Sequence, residues 1–225
     1  MRSSSPLVSR RSVLLAGAGL ALAARPAAAG SEPRRLDFED AEVGAPPRGF
    51  SFALTGNAPP ARWTILEDAS SPAGAKELAE VSRDRTDNRF PLAILEGVTA
   101  RDVAVSMRFR PASGSVDQAA GLVVRLRDAR NYYVARANAL ENNVRLYRVV
   151  GGRRMQFAGG DIRVPRDRWQ TLGLRVEGDR LAVSLDGREL FTAADKTFAE
   201  AGRVGLWTKA DSVTHFDAFE VQPLR

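Results

Sequence analysis

The 225-residue chain predicts an all-β fold, an antiparallel sandwich or barrel, on three observations. Apolar and polar residues alternate in short segments. Gly, Asp, Asn or Pro separates those segments. No helical period of useful length follows residue 30. Period two sends alternate side chains to opposite faces of a strand, one against a core and one towards solvent or a guest.

Segments 35–39, 50–55, 62–67 and 76–81 carry the pattern first, with Pro46-Pro47 and Pro59-Pro60 in loops between them. Segments 103–109 and 122–127 alternate throughout, and 132–138 and 144–150 keep the period. Gly151-Gly152 then joins 144–150 to 153–158 as a hairpin turn. Gly178-Asp179 joins 170–177 to 180–185. Asp186-Gly187 follows, and Asp-Gly suits the two positive-φ positions of a type I′ turn. Segments 204–209 and 213–221 complete the set. Residues 193–201 read as a short turn of helix in a loop, too short to anchor a helical domain. Many short strands at this spacing fit a sandwich.

Residues 1–29 read as an export signal. Arg10-Arg11 runs into Ser12-Val13-Leu14-Leu15 as a twin-arginine pattern, residues 13–24 are apolar, and Ala27-Ala28-Ala29 offers a cleavage site before Gly30. An ordinary Sec signal and an uncleaved anchor are the alternatives. The apolar run is shorter than the roughly 20 residues of a spanning helix. The expectation is a periplasmic or secreted protein with no stable membrane insertion after cleavage. Residues 30–225 form one domain, since no Gly/Ser- or Pro-rich linker divides them.

Composition excludes several function classes. The chain has no Cys, hence no disulfide, thiol nucleophile or thiolate metal site. With His215 alone it has no multi-histidine metal centre. The net charge of +6 shrinks once Arg2, Arg10, Arg11 and Arg25 leave with the signal, to 29 basic against 27 acidic residues. Arg and Asp alternate, as in residues 163–168, which is a solvated mixed surface. A nucleic-acid partner is therefore not expected.

Several runs carry a family likeness. They are Ala120-Gly121-Leu122-Val123-Val124-Arg125, Asn131-Tyr132-Tyr133-Val134-Ala135-Arg136-Ala137-Asn138 and Asn143-Val144-Arg145-Leu146-Tyr147. Trp169-Gln170-Thr171-Leu172, Val183-Ser184-Leu185-Asp186-Gly187, Gly202-Arg203-Val204-Gly205-Leu206-Trp207-Thr208 and Phe216-Asp217-Ala218-Phe219-Glu220-Val221 follow in order. In these the chain resembles the bacterial concanavalin A-like (laminin G-like) jelly-roll domains related to family 16 glycoside hydrolases, some described as 3-keto-disaccharide hydrolases. The resemblance implies two curved antiparallel sheets of six or seven strands and a concave face able to hold a glycan. It does not imply catalysis, because such sandwiches host enzymes, lectins and adhesive modules alike.

Sandwich glucanases present their carboxyl pair as Glu-x-Asp-x-x-Glu on one strand. None of the twelve Glu begins that pattern, and Glu39-Asp40-Ala41-Glu42 comes nearest. No Gly-x-Ser-x-Gly elbow occurs either. His215 and Asp217 would share a strand face as a base and its partner, against the plainer reading of a lone edge histidine. Asp37, Glu39, Asp40 and Glu42 near the start could meet Asp217 if the first and last strands pair, which would make a structural calcium site of mixed oxygens.

The concave face is the stronger candidate. With Leu122, Val124 and Leu126 on the core, Val123, Arg125 and Arg127 face outward. Tyr133, Ala135 and Ala137 inward leave Tyr132, Val134, Arg136 and Asn138 outward. By the same rule Arg145 and Tyr147 face outward, then Gly205, Trp207 and Lys209. The ligand-binding candidates are thus Arg125, Arg136, Asn138, Tyr147, Trp207 and Lys209. Aromatic faces stack on sugar C–H surfaces, and Arg, Asn and Lys bond its oxygens. Asp87, Asp117 and Glu141 fall in neighbouring loops and strand ends as candidate acids or bases. Three functions follow: an exported glycoside (or 3-keto-glycoside) hydrolase, a non-catalytic glycan-binding or adhesion module, or a lectin-like domain needing calcium. The expected partner is a carbohydrate or another small polar ligand.

Overall fold

Fifteen strands and no helix make up residues 32–71 and 73–224, which with Met1 are the residues that the computed structural model describes. The export signal expected over residues 1–29 lies outside them, Met1 apart. Among the described residues no helix is long and apolar enough to cross a membrane. The strands are β1 (Arg34–Leu36), β2 (Phe50–Thr55), β3 (Trp63–Glu67), β4 (Lys76–Glu80), β5 (Phe90–Leu95), β6 (Val103–Ser113), β7 (Ala119–Asp128) and β8 (Asn131–Asn138). Then come β9 (Asn143–Val150), β10 (Arg153–Asp161), β11 (Gln170–Glu177), β12 (Arg180–Leu185), β13 (Arg188–Ala194), β14 (Arg203–Trp207) and β15 (Val213–Pro223).

They form two antiparallel sheets. One runs β13-β12-β11-β6-β15-β4-β3 with β1 also on β15, and the other runs β10-β9-β8-β7-β14-β5-β2. The fold is the concanavalin A-like sandwich that the sequence predicts, with eight strands rather than six or seven in the first sheet. First and last strands do pair, Arg34 opposite Val221. The two-residue turns form as their chemistry requires. Gly151 and Gly152 have φ of 59° and 88°, and Asp186 and Gly187 have 49° and 78°, so both hairpins take left-handed residues at both turn positions.

Alternation builds the core. Val103, Val105, Met107 and Phe109 of β6 meet Leu122, Val124, Tyr133, Ala135, Val144 and Leu146 of the facing sheet. Three expectations are corrected. Residues 193–201 hold no helix: β13 runs to Ala194, and Asp195 then accepts the Thr197 amide at 2.8 Å in a tight turn that buries Phe198. β5 was missing from the predicted set, because Phe90–Leu95 is apolar on both faces and carries Pro91, so it shows no alternation. Leu126 belongs to the outward cluster, not to the core. Arg125 takes φ of 49°, the register slips there, and every residue after it changes face.

Candidate functional site

The seven-stranded sheet buries both its faces. Away from the core, Phe90, Leu92, Val123, Tyr132, Tyr147 and Trp207 form part of a second buried cluster. Curvature explains it. β10 and β5 stand five steps apart in this sheet, about 24 Å if it were flat. Yet Arg154 on β10 places its Cζ 4.8 Å from the ring centroid of Phe90 on β5. The sheet therefore curls into a hollow that one arginine side chain spans. Beneath Arg154 lie Tyr147, at 4.5 Å, and Trp207, at 5.6 Å, and Trp207 stacks on Phe90 with centroids 5.4 Å apart. Tyr132 shares this floor. Its hydroxyl meets Thr55 Oγ1 at 2.7 Å, and burial pushes it up to about 12.

One end of the hollow is polar. The turn between β8 and β9 is shaped by Asn138, whose Oδ1 accepts the amides of Leu140 (2.9 Å) and Glu141 (3.1 Å), and by Asn142 at φ of 50°. That turn sets Glu141 beside Arg136, with Nη2 donating to Oε2 at 2.8 Å, and Asn143 Nδ2 donates to the same oxygen at 2.9 Å. Arg136 also lies over Tyr147, at 5.5 Å. Burial pushes the Glu141 carboxyl up, but the bonds from Arg136 and Asn143 outweigh it and hold it below the ordinary range. Lys209 puts its ammonium 2.8 Å from Asp117 Oδ2 and also bonds Asp87. Asn138 Nδ2 donates to Asp117 Oδ1.

Arg136, Asn138, Tyr147, Trp207 and Lys209 thus share the hollow face, and Asp87, Asp117 and Glu141 stand beside them. Trp207 is the floor rather than an open surface, with no exposure. Arg125 is the exception and a correction. Its bulge turns it out of the hollow to donate to the carbonyls of Arg101 (2.8 Å), Phe198 (2.7 Å) and Gly178 and to pair with Asp102 (3.2 Å). It ties the seven-stranded sheet to the β11–β12 turn. Arg154, Asn143 and Phe90 were not foreseen. Arg154 was within reach, since the Gly151-Gly152 turn pairs it with Val149, two residues along from the outward Tyr147.

The expected calcium ligands are not gathered. The Glu39 carboxylate accepts the Lys76 amide at 2.8 Å, while Lys76 Nζ takes the carbonyls of Glu39 and Ala41, each at 2.8 Å. Asp37 accepts the Glu39 amide, at 3.3 Å. Asp217 accepts from Ser71, Ala73 and Ala218. An ammonium already meets those carbonyls. His215 turns instead to Glu77 and Asp68 on the outer face of the other sheet, where the three ligand atoms lie within 4.8 Å of one another. Arg110 stands among them, paired with Asp68 and 3.7 Å from Glu77, and so offsets part of the negative charge that could otherwise draw a cation.

A family model described as the galactocerebrosidase C-terminal lectin domain matches residues 93–224, more than half of the chain. The chain belongs to this lectin-domain family. The match runs from within β5 to the end of β15, and so takes in the hollow residues named above except Thr55, Asp87, Phe90 and Leu92. Among solved structures, the lectin-domain chain is similar to the carbohydrate-binding module CBM66 from Bacillus subtilis (20% identity, 78% of this chain and 97% of that one, TM-score 0.59). Domain 4 of a GH43 extracellular arabinanase from Geobacillus stearothermophilus, in complex with arabinotriose, aligns at 13% identity over 84% and 90% of the two chains, with a TM-score of 0.56. The Bacillus licheniformis β-glucanase aligns at 12% identity over 87% and 99%, with a TM-score of 0.54. These likenesses are of fold. No curated protein matches significantly.

Proposed function

We propose that this lectin-family domain is a carbohydrate-binding module whose saccharide lies in the hollow of the seven-stranded sheet. The observation that carries the reading is the floor of Phe90, Tyr147 and Trp207, buried on the side that faces away from the core and walled by Arg136, Asn143 and Glu141. The buried aromatic floor holds the Arg154 guanidinium in place, and the fixed amide, guanidinium and carboxylate offer oriented bonds to hydroxyls. The family and the sugar-binding relatives of the same fold support it. The signal expected over residues 1–29 would place this binding outside the cytoplasm.

Binding without cleavage is favoured over the hydrolysis that the 3-keto-disaccharide hydrolase likeness implies. A general acid must keep its proton near neutral pH. Glu141 is held below the ordinary carboxylate range by Arg136 and Asn143, and Asp117 and Asp87 both face the Lys209 ammonium. Calorimetric titration of the full chain against a panel of glycosides and 3-keto-glycosides, with product analysis, tests this. Binding without consumption, weakened by Glu141→Gln, is the expected result. Release of product would turn the reading to catalysis, and no binding across the panel would overturn it.

A further inference from the structure

At the β9–β10 turn, the opposite end of β9 from the Glu141 turn, the hollow borders a cleft of about 490 Å³. Asn88, Phe90, Gly151, Gly152, Arg153 and Arg154 line it. Its chemistry is lopsided. Two guanidinium groups, one amide and one aromatic face meet there, and no carboxylate lines it. The other hollow cations are neutralised: Arg136 by Glu141, and Lys209 by Asp117 and Asp87. Arg153 and Arg154 make no ion pair among the described residues; Arg153 donates only to Met155 Sδ. Arg154 is held by three aromatic faces, and its Nη1 is buried with no partner. Burial presses hardest against its charge; Tyr147, Asp117 and Tyr132 favour the charge and Arg136 opposes it, and the balance leaves the guanidinium below its ordinary value, yet a guanidinium stays protonated in proteins. An unpaired, half-buried cation with an unused donor wants an anion.

We propose that the saccharide bound in the hollow is acidic, and that Arg154 receives its carboxylate in the cleft beside Gly151-Gly152. The proposal rests on the reading of the hollow as a saccharide site and names the class of guest. The guanidinium fork matches a carboxylate in a planar, bidentate way. The two glycines bring no side chain to the cleft wall, so a ring carbon can approach the backbone there. Arg153 at the rim supplies a second positive charge. A neutral sugar would bring no opposite charge to the guanidinium.

The test is calorimetry on the full chain with oligosaccharides of galacturonate, glucuronate and mannuronate, each beside its methyl ester. The esters keep size and stereochemistry and remove the charge. The acids are expected to bind about tenfold or more tighter than their esters. In Arg154→Gln acid and ester should bind alike, and Arg154→Lys should keep part of the difference. The acid–ester comparison is made on the unaltered protein, so it survives a variant that fails to fold. Equal binding of acid and ester by the unaltered protein overturns the acidic guest while leaving a saccharide site. Binding of a sulfated galactan where no uronate binds overturns the carboxylate. Binding of no saccharide, charged or neutral, overturns the site itself.

Discussion

Lys209 holds its ammonium 2.8 Å from Asp117 Oδ2, with side-chain exposures of only 8% and 1%. Burial alone would push the ammonium's pKa down, but the bonds from Asp117 and Asp87 outweigh it and raise it. The polar end of the hollow is therefore a fixed arrangement in which each charged group has an opposite partner. Asn138 completes it from below by donating to Asp117. A guest arriving there meets groups already oriented by each other, which lowers the cost of ordering them on binding. Arg154, across the aromatic floor, has no such partner.

Lys209→Met leaves Asp117 buried without its cation. The expected loss is about 3–5 kcal/mol of stability. Lys209→Met with Asp117→Asn should recover much of it, because the second change removes the stranded charge. Urea unfolding of the two single variants and the double variant closes the cycle. Strictly additive losses would show that the two groups do not act as a pair.

Arg125→Met separates a structural arginine from a binding one. Arg125 donates to three carbonyls and pairs with Asp102, all at the end of the sandwich and outside the hollow. Its removal strands those acceptors, and the expected loss is about 3 kcal/mol or more. Saccharide affinity of the folded variant should not change. A marked fall in affinity at full folding would return Arg125 to the site.

The contrast between Arg125 and Arg136 shows what the sequence makes legible. Both stand at outward positions by a simple period of two. Arg136 keeps that position because β8 is regular. Arg125 loses it because a bulge with a left-handed non-glycine residue interrupts β7, and no Gly or Asn marks the place. β5 was unreadable for another reason: Phe90–Leu95 is buried on both faces, and a continuous apolar run has no period to detect. Arg154 was readable, since a two-residue turn fixes the register of the strand that follows it. What the residue pattern could not supply was the curl of the sheet, which brings β10 over β5 and makes a floor of residues distant in sequence.

Trp207 tests that floor. It is fully buried, stacked on Phe90 and lies beneath Arg154. Trp207→Ala should cost about 3–5 kcal/mol, as a large buried aromatic does when truncated, and should weaken saccharide binding by releasing Arg154. Trp207→Phe keeps a ring beside Phe90 and should lose much less of both. Denaturant unfolding and calorimetry together check it. Unchanged affinity in a folded Trp207→Ala would mean that Arg154 is positioned by other groups.

Acid should destabilise the fold through carboxylates remote from the hollow's open rim. Burial pushes the Asp211 carboxyl up, and the bonds it accepts from Ser115 (2.8 Å), Asp117 (3.0 Å) and Val116 (2.9 Å) outweigh it, so its pKa lies below the ordinary 3.8. Asp195 is likewise raised by burial and lowered further by Thr197, by the Tyr133 hydroxyl at 2.6 Å and by Arg148. A lowered folded-state pKa means that the unfolded chain takes up the proton first as pH falls. The stability these groups contribute is complete above the unfolded value, wanes below it and is gone once pH has passed through the folded value. Unfolding free energy should therefore change little from about pH 7 to pH 5 on their account and fall below about pH 4. Asp211→Asn should start from lower stability and fall less steeply, because one of the titrating groups is gone. An acid limb of unchanged slope in that variant would place the proton uptake elsewhere.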